Sequence, residues 1–179
     1  MWWWIALAIV GVIVIILYLS STAGRLDRLH HRVEAGLDAL DAQLQRRAAA
    51  ALELAGSGLL DPASSVVLAD AAAGSIEGAG PLDRAQAESD LSAALAAVFD
   101  STEQVAAVLA EPAGNAMIAE LSGACHKVEM SRRFHNDAVR ACGQLRAHRL
   151  VRAFRLAGHA PFPRSAEFDA SVPRGFDGL

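Results

Sequence analysis

The first part of the chain is an unbroken apolar run. Residues 2–19, WWWIALAIVGVIVIILYL, contain no charged residue and no Asn, Gln or Pro. As a helix this run spans about 27 Å, close to the roughly 30 Å hydrocarbon core of a bilayer. Aromatic side chains that favour membrane interfaces stand at its two ends, and they are Trp2, Trp3, Trp4 and Tyr18. The run therefore predicts a transmembrane anchor over residues 1–20.

A cleaved secretory signal is the alternative interpretation of this run. Ser21, Thr22 and Ala23 offer small residues of the kind found at a cleavage site. However, no Lys or Arg precedes the run, and it is longer than the apolar region that a signal needs. We therefore expect a retained anchor.

Beyond the anchor, apolar residues recur every three or four positions, which indicates one face of a long helix. These residues are Leu26, Leu29, Val33, Leu37, Leu40 and Leu44. No Pro lies between Tyr18 and Gly56, so the membrane helix is expected to continue as a stalk into a helix over about residues 21–55. A hinge at residues 20–24 is the competing possibility.

Turn signals predict two further helices in the middle of the chain. Asp61 and Pro62 suit the start of a helix over about residues 62–73, and the glycine-rich stretch after it indicates a loop. Pro81 begins a helix that extends to about residue 110. Its apolar residues keep a heptad phase that Thr102 interrupts, and they are Leu91, Leu95, Val98, Val105 and Leu109.

A fourth long helix and an irregular tail complete the pattern. Asn115 can cap a helix over about residues 115–157, and residues 158–179, with three Pro and three Phe, predict a tail without regular structure. The expected fold class is all-α, in which an N-terminal single transmembrane helix continues into an antiparallel bundle of long helices over residues 21–157. The Ala-rich composition agrees with helices rather than sheet.

Charge is unevenly distributed along the chain. Residues 61–120 contain ten acidic residues and one Arg, whereas residues 126–164 contain nine Lys or Arg and two acidic residues. Pairing between these two regions is one interpretation of the pattern. Contact with anionic lipid is another, because Arg149, Arg152 and Arg155 alternate with apolar residues as in an interfacial amphipathic segment. Nucleic acid is not expected as a partner, since no base-stacking or base-reading motif accompanies the charge.

Membrane topology and thiol state follow from the flanking residues. Arg25, Arg28 and Arg32 follow the anchor, so the positive-inside rule predicts a single-pass protein of the cell membrane with its bundle on the cytoplasmic side. Cys125 and Cys142 fall on one predicted helix, too far apart for a disulfide, and are expected to be free thiols.

Motifs for enzyme chemistry are missing from the sequence. There is no glycine-rich phosphate loop, no CxxC and no HExxH. His126 and Glu129 come closest to a metal-binding pair, but the pair occurs once and in the reversed order. We therefore expect no enzyme activity, no metal or other cofactor and no small-molecule substrate.

Two stretches of the chain resemble the LemA family of bacterial membrane-anchored proteins. The first comprises Arg32-Val33-Glu34-Ala35 and Asp41-Ala42-Gln43-Leu44-Gln45-Arg46-Arg47, and the second is Arg132-Arg133-Phe134-His135-Asn136-Asp137-Ala138-Val139. Cys142-Gly143 stands where the family has a Tyr-Asn pair, so the resemblance is to a divergent member. It implies a single membrane helix, an antiparallel bundle of long helices and no established activity. It also implies structural roles for Arg46, Arg47, Phe134, Asn136, Asp137 and Val139.

Together these patterns favour a non-enzymatic scaffold or assembly factor at the bacterial cell envelope. Its expected partners are the lipid bilayer and either further copies of the chain or other membrane proteins. Two alternatives remain open. The protein could be a membrane-surface module that binds anionic lipid through its basic C-terminal helix, or a regulatory subunit of a membrane protease or transporter.

Overall fold

The computed structural model describes residues 2–78, 81–154 and 161–178, and these residues are mainly helical. The helices are α1 (Trp2–Gly56), α2 (Pro62–Glu77), α3 (Pro81–Phe99), α4 (Thr102–Leu109), α5 (Pro112–Ala147) and α6 (Arg149–Ala153), followed by a short 3-10 helix (Arg174–Phe176). No strand occurs in the described part of the chain, so the all-α prediction is confirmed.

The chain forms two compact units. Unit 1 comprises residues 1–36 and 136–165, and unit 2 comprises residues 37–135 and 166–179. Unit 1 thus contains the apolar N-terminal part of α1, the end of α5 and α6. Unit 2 contains the rest of α1 and α5, together with α2, α3, α4 and the 3-10 helix.

Helix α1 passes through residues 20–24 without a break, so the structure has no hinge there. Thr22 Oγ1 donates a hydrogen bond to the Tyr18 carbonyl oxygen at 2.8 Å, which satisfies this hydroxyl inside the helix. The preceding apolar side chains, including the aromatic residues Trp2, Trp3, Trp4 and Tyr18, are about half exposed or more. Among the described residues, α1 is the one helix that is long and apolar enough to cross a membrane.

The core of unit 1 is small. It joins Leu26 and Val33 of α1 to Ala138 and Cys142 of α5, and it includes Val151 of α6. Partly buried residues extend this cluster, and they are Leu29, Val139 and Leu145. The stripe predicted on α1 therefore faces the apolar side of α5 and α6 in this unit.

Unit 2 has the larger core. Ala48, Ala51 and Leu54 of α1 share it with Leu91 and Leu95 of α3, and all five are almost inaccessible to solvent. Residues of α2, α4, α5 and the tail contribute further buried side chains. Small alanine side chains at several of these positions occupy little space between the helices. A separate cluster joins Leu40 and Leu44 to Val128 and Ala170.

Helix α2 begins as predicted and ends later. Asp61 is its N-cap, and its carboxylate accepts hydrogen bonds from the backbone N–H groups of Ala63 and Ser64 at 3.0 and 3.1 Å. Hydrogen bonds from Ser64 and Ala63 hold the pKa of the Asp61 carboxyl below its usual value. The helix continues past the predicted end at residue 73 to Glu77, because buried Ala72 and Ser75 anchor the last turns and outweigh the unfavourable Gly74.

The helix predicted over residues 81–110 is in fact two helices. α3 ends at Phe99, and Ser101 adopts an extended conformation and accepts a hydrogen bond from the Glu103 N–H at 3.1 Å, which caps α4. Ser101 followed by Gln104 has the spacing of a capping box, a signal that the heptad pattern concealed. The break changes the direction of the chain while Val105 and Val108 stay in the core.

The helix predicted over residues 115–157 also has different bounds. α5 begins at Pro112, which suits a first helical position, and Asn115 lies inside it and donates to the Leu109 carbonyl oxygen at 3.2 Å. α5 ends at Ala147 because His148 is extended, and α6 follows as a separate short helix. The rest of the predicted helix, residues 155–157, lies outside the described residues.

The described part of the tail is irregular except for its 3-10 helix. In unit 2 the ring of Phe176 is fully buried and lies 5.2 Å from the ring of Phe99, centre to centre. Gly175 is required at its position, since an added Cβ would collide with the Phe99 carbonyl and the Val105 side chain. Phe168 lies half-buried under the Arg132 guanidinium. Residues 166–178 of the tail are therefore a packed part of unit 2.

Candidate functional site

A buried ion pair lies at the centre of unit 2. Arg47 of α1 donates from Nη2 to Glu88 Oε2 of α3 at 2.7 Å, and both side chains are 2% exposed or less. The same guanidinium also donates to the Glu88 carbonyl oxygen at 3.1 Å and to Ser92 Oγ at 2.9 Å. Moving a charged side chain out of water costs roughly several kcal/mol. Each buried charge therefore needs several hydrogen bonds to offset this cost.

Serine hydroxyls connect this pair to α2 and to the tail. Ser75 of α2 donates to Glu88 Oε1 at 2.8 Å, so both carboxylate oxygens of Glu88 have a partner. Ser92 Oγ lies 2.7 Å from the carbonyl oxygen of Asp169, and the Asp169 N–H donates to Ser89 Oγ at 3.1 Å. One polar network therefore joins α1, α2, α3 and the tail in unit 2.

The sequence contains a signal for this network. Arg47 falls on the apolar stripe of α1, three residues after Leu44, and Glu88 precedes Leu91 by the same interval on the stripe of α3. A charged residue at a core position of a helix needs a partner of opposite charge at a core position elsewhere. The resemblance indicated a structural role for Arg47, but Glu88, Ser75 and Ser92 were not anticipated.

A cavity of about 230 Å³ lies beside the network, between α1, α2 and α3. Leu44 and Ala48 line one side, while Ser75, Arg84 and Glu88 supply its polar groups. Arg84 Nη1 lies 3.2 Å from Asp41 Oδ2, and both side chains are about one-third exposed. The Ser75, Arg84 and Glu88 side chains that line this cavity therefore already have protein partners.

Cys125 lies in the core of unit 2. Burial raises the pKa of its thiol to about 11, although the charge of Arg47 acts in the opposite direction. Burial also raises the pKa of Cys142 in unit 1. Both cysteines are free, as expected from the sequence.

We expect Cys125 to react slowly with thiol reagents in the folded chain. With a pKa of about 11, roughly one thiol in a thousand is ionised at pH 8, and only the thiolate is nucleophilic. In a Cys142→Ala variant, the labelling rate of the native protein should rise about tenfold per pH unit between pH 8 and 10. Denaturant should instead bring labelling to the rate of an ordinary cysteine. Equal rates in the native and denatured chain at pH 8 would contradict the buried position of Cys125.

Exposed basic and apolar side chains occur together on α6 in unit 1. Val151 is buried in the core of the unit, while Leu150 is 45% exposed and Phe154 is 54% exposed. Arg149 and Arg152 are exposed on the same helix. Arg155, the third basic residue predicted for a lipid or partner contact, lies outside the described residues.

Arg146 precedes α6 and points into unit 1. Its Nη1 donates to the Pro161 carbonyl oxygen at 2.7 Å and lies 3.4 Å from His30 Nε2. The guanidinium also stacks on Phe162, 4.5 Å from the ring centre. Arg146 therefore holds the chain segments of this unit together, in contrast to the exposed Arg149 and Arg152.

Two other basic residues of the C-terminal region form local ion pairs. Arg133 pairs with Glu129 at 2.8 Å and Arg140 lies 3.7 Å from Asp137, both on α5. Glu88 of α3 pairs with Arg47, and Asp100, which directly follows α3, lies 3.9 Å from Arg174. Arg133 and Arg140 therefore pair within α5 rather than with α3.

The residues singled out by the resemblance have different environments. Arg46 is exposed while its neighbour Arg47 is buried, because consecutive helical residues point in directions about 100° apart. Phe134 is 64% exposed, whereas Asn136 is half-buried and Val139 packs against the core of unit 1. Asp137 is exposed beside Arg140.

In the part of the chain that the structure describes, no three His, Cys, Asp or Glu side chains are placed so that they could hold a metal ion. His126 is exposed, and Glu129 is engaged by Arg133. Comparison of the chain with protein-family models and with curated proteins finds no match.

Proposed function

We propose that this chain is a single-pass, membrane-anchored scaffold or assembly factor of the bacterial cell envelope, and that it acts by binding rather than by catalysis. The observation that carries the proposal is helix α1. Its first part is apolar and exposed on all sides, and the same helix continues without interruption into packed residues. The exposed apolar part of such a helix is stable in lipid, because its backbone hydrogen bonds are formed within the helix. The second part is stabilised by packing against protein.

The proposed anchor is residues 2–19, with Trp2, Trp3, Trp4 and Tyr18 at the two interfaces. Exposed Arg25, Arg28 and Arg32 follow it, which supports a cytoplasmic location for the rest of the chain. An apolar segment near the N-terminus also occurs in secretory signals, so the size of the mature protein distinguishes the two cases. A retained Trp2–Trp4 segment in the membrane fraction would support the anchor.

We further propose that the long helices form an antiparallel bundle of the LemA type. A short connection of residues 78–80 joins α2 and α3, which pack against each other, as in an antiparallel helical hairpin. The buried Arg47 lies in one of the two stretches that resemble the LemA family, which supports a structural role for that stretch.

Binding rather than catalysis is supported by the state of the buried polar groups. Glu88 is held by Arg47 and Ser75, and Cys125 has a raised pKa that keeps it unreactive. Exposed apolar side chains are available for contact with other proteins, and on α2 they are Val66, Val67 and Ile76. The proposed partners are further copies of the chain and other membrane proteins.

Site-specific crosslinking in native membranes tests the scaffold proposal. A photoreactive amino acid at Val66 of α2 should give a discrete crosslinked species that mass spectrometry identifies as a second copy or another membrane protein. The same probe at Glu120, an exposed polar position of α5, is the matched control. Turnover of a substrate by the purified protein that is lost on changing one titratable residue would contradict the proposal, as would the absence of any specific crosslink from Val66.

A further inference from the structure

The short helix α6 has the amphipathic character of a membrane-interface segment. Leu150 and Phe154 are four residues apart and lie on one side of the helix, next to buried Val151. Arg149 and Arg152 lie on the opposite side, at 100° per residue. Two large apolar side chains exposed in this way are unfavourable in water, whereas interfacial helices bury such a face among lipid and keep arginines at the headgroups.

Unit 1 also places protein close to the end of the proposed anchor. Thr22, only three residues beyond Leu19, is 9% exposed, whereas the apolar side chains of residues 2–18 are about half exposed or more. The neighbouring turns of α1 alone cannot bury Thr22 to this extent. Other segments of the same chain therefore pack against α1 as far as Thr22. Three residues of helix correspond to about 4.5 Å, less than the thickness of a headgroup layer.

Contacts within unit 1 also place α6 beside the part of α1 that follows the proposed anchor. Arg146, which precedes α6, approaches His30, and Val151 shares its core with Leu26. Leu26 lies seven residues after Leu19, or about 10 Å along α1. Long arginine side chains reach across such a distance toward headgroups.

We propose that α6 docks on the headgroup layer of an anionic bilayer, with Leu150 and Phe154 inserted at the interface and with Arg149 and Arg152 bound to lipid phosphates. This inference rests on the proposed anchor, because the anchor is what holds unit 1 at the membrane. The occupant is lipid rather than an acidic protein, because Val151 of α6 shares its core with Leu26, which lies only about 10 Å beyond the proposed anchor.

Fluorescence quenching in lipid nanodiscs tests this proposal with the full chain. All three tryptophans lie in the anchor, so replacing them with Phe gives a background in which Phe154→Trp introduces a single indole. Nitroxide groups on the lipid headgroups should quench this indole at least twice as strongly as the one introduced by Phe134→Trp. Phe134 is a matched control because it is an exposed aromatic residue of α5.

The lipid charge and the two arginines provide the specificity controls. Quenching should be strong in nanodiscs that contain phosphatidylglycerol and weak in pure phosphatidylcholine, and added salt should reduce it. Each basic side chain at an anionic surface strengthens binding about fivefold, so Arg149→Gln together with Arg152→Gln should weaken docking about 25-fold. Circular dichroism of each variant verifies that the helices are intact.

Three results would overturn the proposal. They are equal quenching at positions 154 and 134, quenching that is the same in both lipids, and quenching that the two Arg→Gln changes leave unaltered. Failure of the anchor gives a different result, because a chain without a membrane helix would not purify with the nanodiscs at all.

Discussion

Replacing Arg47 with Met is expected to lower the free energy of unfolding of unit 2 by about 3–5 kcal/mol. The change leaves the Glu88 carboxylate buried without its cation and also removes the donor to Ser92. Methionine fills much of the same space, so the loss arises from the unpaired charge rather than from a cavity. This is the largest effect we expect from a single polar substitution in the chain.

Two comparison variants distinguish the effect of losing the ion pair from effects on helix propensity and packing. Arg46→Met alters the adjacent exposed residue and should change the free energy of unfolding by less than about 0.5 kcal/mol. Glu88→Leu combined with Arg47→Met removes both charges and should restore much of the lost stability, because a buried pair is replaceable by apolar residues.

Labelling of Cys125 provides a measurement specific to unit 2, since this thiol is buried in that core. In a Cys142→Ala background, the urea concentration at which Cys125 becomes reactive gives the stability of the unit. If Arg47→Met and Arg46→Met shift this midpoint equally, the buried pair does not stabilise the fold in the way we describe.

Replacing Phe176 with Ala is expected to release the tail from unit 2. Truncation of a fully buried Phe costs about 3–5 kcal/mol through lost burial and the cavity that remains. The ring of Phe99, which packs on Phe176, would then be exposed to solvent. Because the helices of unit 2 also share many buried side chains other than Phe176, we expect local undocking of the tail before unfolding of the whole unit.

Limited proteolysis measures this undocking. The Arg174 side chain is exposed, but the adjacent buried Phe176 holds the backbone against the unit. Phe176→Ala should therefore raise the rate of tryptic cleavage after Arg174 about 100-fold, as a change of about 3 kcal/mol in the docking equilibrium implies. Phe162→Ala, at an exposed ring in unit 1, should leave this rate unchanged. An unaltered rate in Phe176→Ala would mean that the tail is not held by this ring.

The sequence predicts the helices well because their periodicity reflects burial. Of the six residues on the α1 stripe, Leu26, Val33, Leu40 and Leu44 are buried and Leu29 is partly buried. Leu37 is the exception and is exposed. A repeat of three and four identifies the apolar face of a helix, but it does not determine how far the neighbouring helices cover that face.

Helix ends were predicted less well, because tertiary contacts determine them. Burial of Ser75 and its hydrogen bond to Glu88 extend α2 past Gly74. The end of α5 at Ala147 has no Pro or Gly nearby to mark it, and it coincides with the contacts of Arg146 to Pro161 and Phe162. Such contacts bring together residues far apart in sequence, which local patterns do not encode.

The buried network was predictable only in part. Arg47 interrupts an apolar stripe, which marks it as a residue that needs a partner, but the same sequence offers ten acidic residues between positions 61 and 120. The choice of Glu88 depends on the register of α3 against α1, which the position of Arg84 beside Asp41 also reflects. That register becomes visible only in the folded chain.

One uninterrupted helix joins the proposed membrane anchor to the packed part of the chain, and the proposed function rests on this continuity. Hydrogen–deuterium exchange of the full chain in nanodiscs tests it most directly at residues 20–24. We predict that the backbone amides of these residues exchange as slowly as those of the helical turns on either side, as a continuous hydrogen-bonded helix requires. Rapid exchange confined to residues 20–24 would reveal a flexible tether and would contradict the account.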